Sequence, residues 1–78
     1  MIEIARRGRE LLTVREQQVL QLLTAGFANK EMATVLTLST RTVEMHRSRV
    51  MHKLMAKNAA DLCRIVAILD QEDASGPN

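Results

Sequence analysis

The chain has 78 residues, 46% of them hydrophobic and 26% charged, with 11 Lys and Arg against 9 Asp and Glu for a formal net charge of +2. That length admits one small domain, which buries only about 60% of its unfolded surface, so its independent stability is modest and a partner or second copy matters. So small a net charge diagnoses no nucleic-acid partner by itself. The single cysteine, Cys63, excludes an intramolecular disulfide framework and fits a reducing cytosol.

No stretch approaches the roughly 18 apolar residues of a membrane span, and charges interrupt the apolar N-terminus, Met-Ile-Glu-Ile-Ala-Arg-Arg-Gly, where a secretory signal would run unbroken. With Phe27 the only aromatic, the core must be built from Leu, Val, Ile, Ala and five Met, which favours helices over sheets.

In chain order, residues 1–12 read as a basic linker or arm, or a short helical turn, with Arg6, Arg7 and Arg9 around Gly8. The domain proper, expected over 13–70, opens on Thr13-Val14-Arg15-Glu16, a capping box in which Thr13 accepts from the Glu16 amide while Glu16 reaches back to the Thr13 amide. Val19, Leu20, Leu22 and Leu23 supply the buried stripe of the helix that follows. Gly26 suits the left-handed residue after its end, and Phe27 plugs the core. Asn29 then caps a second, short helix, Lys30 to Leu36, with Met32, Ala33 and Leu36 on its inner side. The tight connection Thr37-Leu38 leads to Ser39, the cap of a third helix. Two helices joined so closely are the sequence form of a helix-turn-helix.

That third stretch, Ser39 to Met55, carries two faces. At about 100° per residue, Val43, Val50 and Leu54 stack on one side, with His46 and the stem of Arg47 at its margins. Opposite lie Arg41, Glu44, Met45, Ser48, Arg49 and His52. A face that donates, accepts and makes apolar contact is what reading base edges in a major groove requires. From Arg41 to Lys57 there are five basic residues, two histidines and one acid, so the positive field is concentrated on this helix. Beyond it, Asn58 and Asp61 cap a last helix from Ala59 to about Leu69, whose inner stripe is Leu62, Ile65, Val66 and Leu69. A second row, Cys63, Ala67 and Asp70, leaves a surface for a second copy of the chain. Residues 71–78 read as a disordered tail containing Ser75-Gly76-Pro77.

Enzyme and metal chemistry find no support in these spacings. His46 and His52 lie about 240° apart around their helix and cannot share a metal as an i, i+4 pair can; His46 reads instead as a packed, hydrogen-bonded histidine. Gly8, Gly26 and Gly76 stand alone, giving no phosphate-cradling loop. Neither a catalytic nor a cofactor site is expected.

From Leu12 to about Ile65 the chain resembles the LuxR-type helix-turn-helix family, especially the DNA-binding output domains of FixJ/NarL-like two-component response regulators. The resemblance rests on Leu12-Thr13-x-Arg15-Glu16-x-x-Val19-Leu20, on Gly26, on Asn29-Lys30-Glu31-Met32-Ala33-x-x-Leu36-x-Leu38-Ser39-x-x-Thr42-Val43-x-x-His46, and on Val50 and Lys53-Leu54. So many fixed spacings make a specific signal. The resemblance implies an all-α, four-helix domain whose third helix, 40–55, lies in the major groove and whose fourth carries the dimer contact. Carried over by position, Glu44, Met45, Ser48, Arg49 and His52 face the bases, and Lys30, Thr40, Arg41, Thr42, Arg47 and Lys53 grip phosphates. Cys63, Ala67 and Asp70 fall on the dimer helix. Two departures stand out: the family often has Gly where this chain has Met55, and Ser-Arg where it has Asn58-Ala59.

The function this implies is a cytoplasmic, sequence-specific transcription regulator that binds double-stranded DNA as a homodimer, with RNA polymerase a further partner and no small-molecule ligand. Nothing in the chain can sense a signal, so it is expected to be the output half of a response regulator, with residues 1–12 as a remnant linker; the other reading is a short single-domain regulator. The alternative in a different class is an interaction module of the same fold that binds a regulator or RNA polymerase.

Overall fold

A computed structural model describes residues 2–74, and these form five helices: α1 (Ile2–Glu10), α2 (Val14–Thr24), α3 (Asn29–Leu36), α4 (Thr40–Lys53) and α5 (Ala59–Ala74). The described residues contain no strand. The α3–turn–α4 pair is the helix-turn-helix. It packs against α2, while α1 lies against α4 and α5.

The helix starts follow from local capping. Thr13 Oγ1 accepts from the Glu16 amide at 3.1 Å and Glu16 Oε1 accepts from the Thr13 amide at 3.0 Å, the expected box. Ser39 Oγ accepts from the Thr42 amide at 3.1 Å. Asn58 Oδ1 accepts from the Asp61 amide at 2.8 Å while the Asp61 carboxylate accepts from the Lys57 amide at 2.9 Å. That amide bond first, then the Arg64 guanidinium, holds the Asp61 carboxyl below its ordinary range. At α3 the expectation fails: extended Ala28 is the cap and Glu31 accepts from its amide at 2.8 Å, so Asn29 is the first helical residue and its side chain is free for another use.

The ends of α2, α3 and α4 share one device, in which two successive amides beyond the helix fold back on carbonyls of its last turn. After α2, Gly26 adopts φ 97° and the Phe27 amide reaches the Leu22 carbonyl at 3.0 Å. After α3 the left-handed residue is Thr37 and after α4 it is Met55, both at φ 56°, with the Leu38 amide on Ala33 and the Ala56 amide on Met51, each at 2.9 Å. Met55 thus keeps the turn that glycine makes without steric cost. We expect Met55→Gly to stabilise the domain by about 1 kcal/mol, because Met55 is 47% exposed and little packing is lost. Thermal melting checks this; an unchanged or lower midpoint would contradict it.

One core joins all five helices. Val19, Met32, Val43, Val50, Leu54 and Leu62 are completely buried, with Leu20, Leu23, Ala33, Ile65, Val66 and Leu69 around them. The aliphatic stripes read from periodicity are these residues, except that Leu22 and Leu36 are only half-buried against them. Phe27 is half-buried against the core rather than inside it.

Two terminal expectations need restating. Residues 2–10, read as part of an arm, are helical and bury Ala5 and Gly8. Gly8 lies so close to the end of α4 that a Cβ would stand 1.8 Å from the Lys53 carbonyl oxygen, a contact that no sequence pattern reveals. Helix α5 runs five residues past Leu69, because Asp70, Gln71, Glu72, Asp73 and Ala74 contain no breaker. The expected fraying of 75–78 falls outside the described residues.

Candidate nucleic-acid interface

The candidate site is the outer face of α4, which owes its orientation to its inner one. Val43, Val50 and Leu54 are fully buried, and this seam fixes the helix's rotation about its own axis. Arg41, Glu44, Met45, Ser48, Arg49 and His52 are consequently all exposed. Met45 keeps 42% of its surface in solvent, an apolar side chain that the fold does not use. The helix is 14 residues long, about 21 Å, and an α-helix with side chains matches the roughly 12 Å width of a major groove. At its start, Thr40 and Arg41 are exposed, and Thr42 is half-buried with its hydroxyl bonded to that of Ser39 at 2.8 Å. Lys30 is exposed on α3.

The structure separates the two remaining cations from this set. Arg47 is half-buried between the two helices of the motif, and its Nη1 donates to Asn29 Oδ1 at 2.9 Å. Lys53 points the other way. Its Nζ donates to Glu16 Oε1 at 2.6 Å and to the Leu11 carbonyl at 3.1 Å, so it joins the end of α4 to α2 and to the link after α1. This engagement competes with the phosphate role expected of Lys53.

Glu16 is the buried partner, 1% exposed. Burial raises its pKa, but the Lys53 hydrogen bond, the Thr13 amide and the charges of Lys53 and Arg49 together outweigh it and hold the carboxyl below the usual glutamate range. The capping pattern located Glu16 correctly; its second role was hidden because Lys53 is 37 residues away. His46 is half-buried at the edge of the seam, as its helical position requires, but its Nδ1 is buried without the hydrogen bond expected of it.

On α5, Cys63 and Ala67 are exposed. Asp70 is exposed too, and it pairs with Arg9 of α1 at 2.7 Å, which gives it a partner inside the chain. Among the described residues no group of three or more His, Cys, Asp and Glu could hold a metal ion, and no helix is long and apolar enough to cross a membrane.

Comparison with known proteins agrees with this geometry. Residues 10–66 match the family described as bacterial regulatory proteins, luxR family. Similar proteins include the transcriptional regulatory protein FixJ of Rhizobium meliloti, 46% identical over 56 residues, which cover 72% of this chain and 28% of FixJ. The tetrathionate response regulatory protein TtrR of Salmonella typhimurium is 43% identical over 53 residues, 68% of this chain and 26% of TtrR. The transcriptional regulatory protein UhpA of Escherichia coli is 43% identical over 63 residues, 81% of this chain and 32% of UhpA. The chain therefore spans about a quarter to a third of the length of these relatives. No solved structure matches. The matched region contains α2, α3, α4 and the first half of α5, the elements that build and aim the exposed face, and the chain belongs to the luxR family of bacterial regulatory proteins, DNA-binding transcription regulators rather than enzymes.

Proposed function

We propose that the outer face of α4 reads a specific DNA sequence in the major groove. The observation that carries this is the rotation of α4: three completely buried residues hold it so that Glu44, Met45 and Ser48 all face outward. Glu44 accepts from the amino group of a cytosine and Met45 packs on a thymine methyl, whereas Ser48 contacts several bases and specifies little; Arg49 and His52 extend the face. Lys30, Thr40, Arg41, Thr42 and Arg47 hold backbone phosphates, which sets position and register rather than sequence. Lys53 serves the fold.

The regulator acts in the cytoplasm as a homodimer on paired half-sites about one helical turn apart, with α5 bringing Cys63 and Ala67 to the partner. Likeness to proteins named as response regulators supports a place as the output domain of such a protein.

Replacing Glu44 or Met45 by Ala should change the preferred base at one position by about 1–3 kcal/mol of discrimination while leaving affinity for unrelated duplexes nearly intact. A randomised-site selection with each variant measures this. Identical selected sequences for wild type and both variants would end the base-reading assignment.

A further inference from the structure

Most cationic side chains that pair inside this protein pair with acids. Arg6 meets Glu3 and Glu72, Arg9 meets Asp70, Arg64 meets Asp61 and Lys53 meets Glu16. Two arginines donate instead to a neutral side-chain carbonyl, Arg15 to Gln18 within one helix at 3.1 Å and Arg47 to Asn29 at 2.9 Å, and of the two only Arg47 does so across 18 positions and between helices. A carboxylate at that place would orient the guanidinium and also cancel its charge. An amide oxygen orients it and leaves the charge whole, and among the described residues the other four N–H donors have no protein acceptor.

The location adds a second argument. Asn29 is the first residue of α3, so the guanidinium is held at the positive end of that helix's dipole. A cation there is unfavourable in the free protein, and the arrangement becomes favourable when an anion arrives. Glu31, the acid of this first turn, is occupied with the Ala28 amide.

We propose that Asn29 is a positioning residue for DNA binding: its side-chain carbonyl holds the Arg47 guanidinium at the start of α3 without neutralising it, so that Arg47 meets a backbone phosphate with its charge and donors intact. This rests on the reading of α4 as a DNA-binding helix. It extends that reading to a residue that touches no DNA through its amide and acts through its neighbour.

The test uses the 78-residue chain and a duplex of mixed sequence, with affinity measured over a salt series and melting recorded for each variant. Asn29→Ala should weaken binding about tenfold, the low end of the value of one hydrogen bond to a charged group. On an Arg47→Ala background the same change should have no effect. Asn29→Asp should melt no lower than wild type, because it keeps the acceptor and places an acid at a helix start, yet bind the duplex more weakly than Asn29→Ala, because it neutralises Arg47. A purely structural strut predicts the reverse: Asn29→Ala melts lower with folded-state affinity unchanged, and Asn29→Asp binds like wild type. That pattern, or an equal loss from Asn29→Ala on both backgrounds, overturns the proposal while DNA binding stands. A wild-type chain that binds no duplex at any salt overturns the DNA reading itself, and the positioning role with it.

Discussion

Replacing Lys53 by Met should lower stability at neutral pH by about 2–4 kcal/mol, near the cost of leaving a buried ion without its partner and somewhat less because the lysine end is partly solvated. Glu16 would stay inside with its carboxylate facing only the Thr13 amide and the more distant Arg49. In a domain this small, such a loss moves the melting midpoint by more than about 10 °C. The pH dependence follows from the direction of the Glu16 shift. In the wild type its folded-state pKa is depressed, so the carboxylate contributes stability above roughly pH 4.3, the unfolded value, and that contribution is lost as pH falls through the folded value. Without Lys53 the largest lowering influence is gone and the folded pKa rises, so the native state takes up a proton more readily than in the wild type. The variant's deficit should therefore be largest near pH 7 and shrink toward pH 4. Melting curves of both proteins across that range measure it. A Lys53 whose role is to grip phosphate predicts unchanged melting and weaker DNA binding instead.

Gly8→Ala should release α1 from the domain. The added Cβ would lie 1.8 Å from the Lys53 carbonyl oxygen and 2.6 Å from its carbon, and both are backbone atoms of α4 that cannot turn aside. Helix α1 must lift, exposing Ala5 and breaking the Arg9–Asp70 and Arg6–Glu72 pairs. A loss of about 2 kcal/mol is expected, in the range for overpacking a tight contact. Trypsin should then cut after Arg6, Arg7 or Arg9 far faster than in the wild type, while the rest of the domain stays resistant. Equal cleavage rates and equal midpoints would show that α1 does not need this close approach.

Much of the domain was legible because its signals are local. Thr13 with Glu16, Ser39, Gly26, and Asn58 with Asp61 mark helix limits through hydrogen bonds that span at most five residues. The inner stripes from Val19 to Leu69 follow from helical periodicity. The site's exposed face was legible for the same reason, since burying Val43, Val50 and Leu54 dictates what faces away. The remainder depends on distance in sequence. Lys53 as the partner of Glu16, Arg47 as the partner of Asn29, and Gly8 against α4 each join segments far apart in the chain, and composition carries no trace of them. The packing of α1, read only as a linker or short helical turn, stayed hidden because it works through a glycine, a residue that reads locally as a helix breaker. Met55 shows a third case: its departure from the family's glycine was visible, but only the backbone reveals that the left-handed turn is kept.

On the proposed reading α4 offers an outward face to DNA, held there by cations that no acid among the described residues neutralises. The most direct measurement is a salt titration of affinity for the winner of a randomised-site selection with the wild-type chain. Three such cations, Lys30, Arg41 and Arg47, at about 0.9 per phosphate set a log-log slope near −2.7 for each bound copy, with the winner bound far more tightly than unrelated duplexes. No enriched sequence, together with a slope near zero, would contradict the claim.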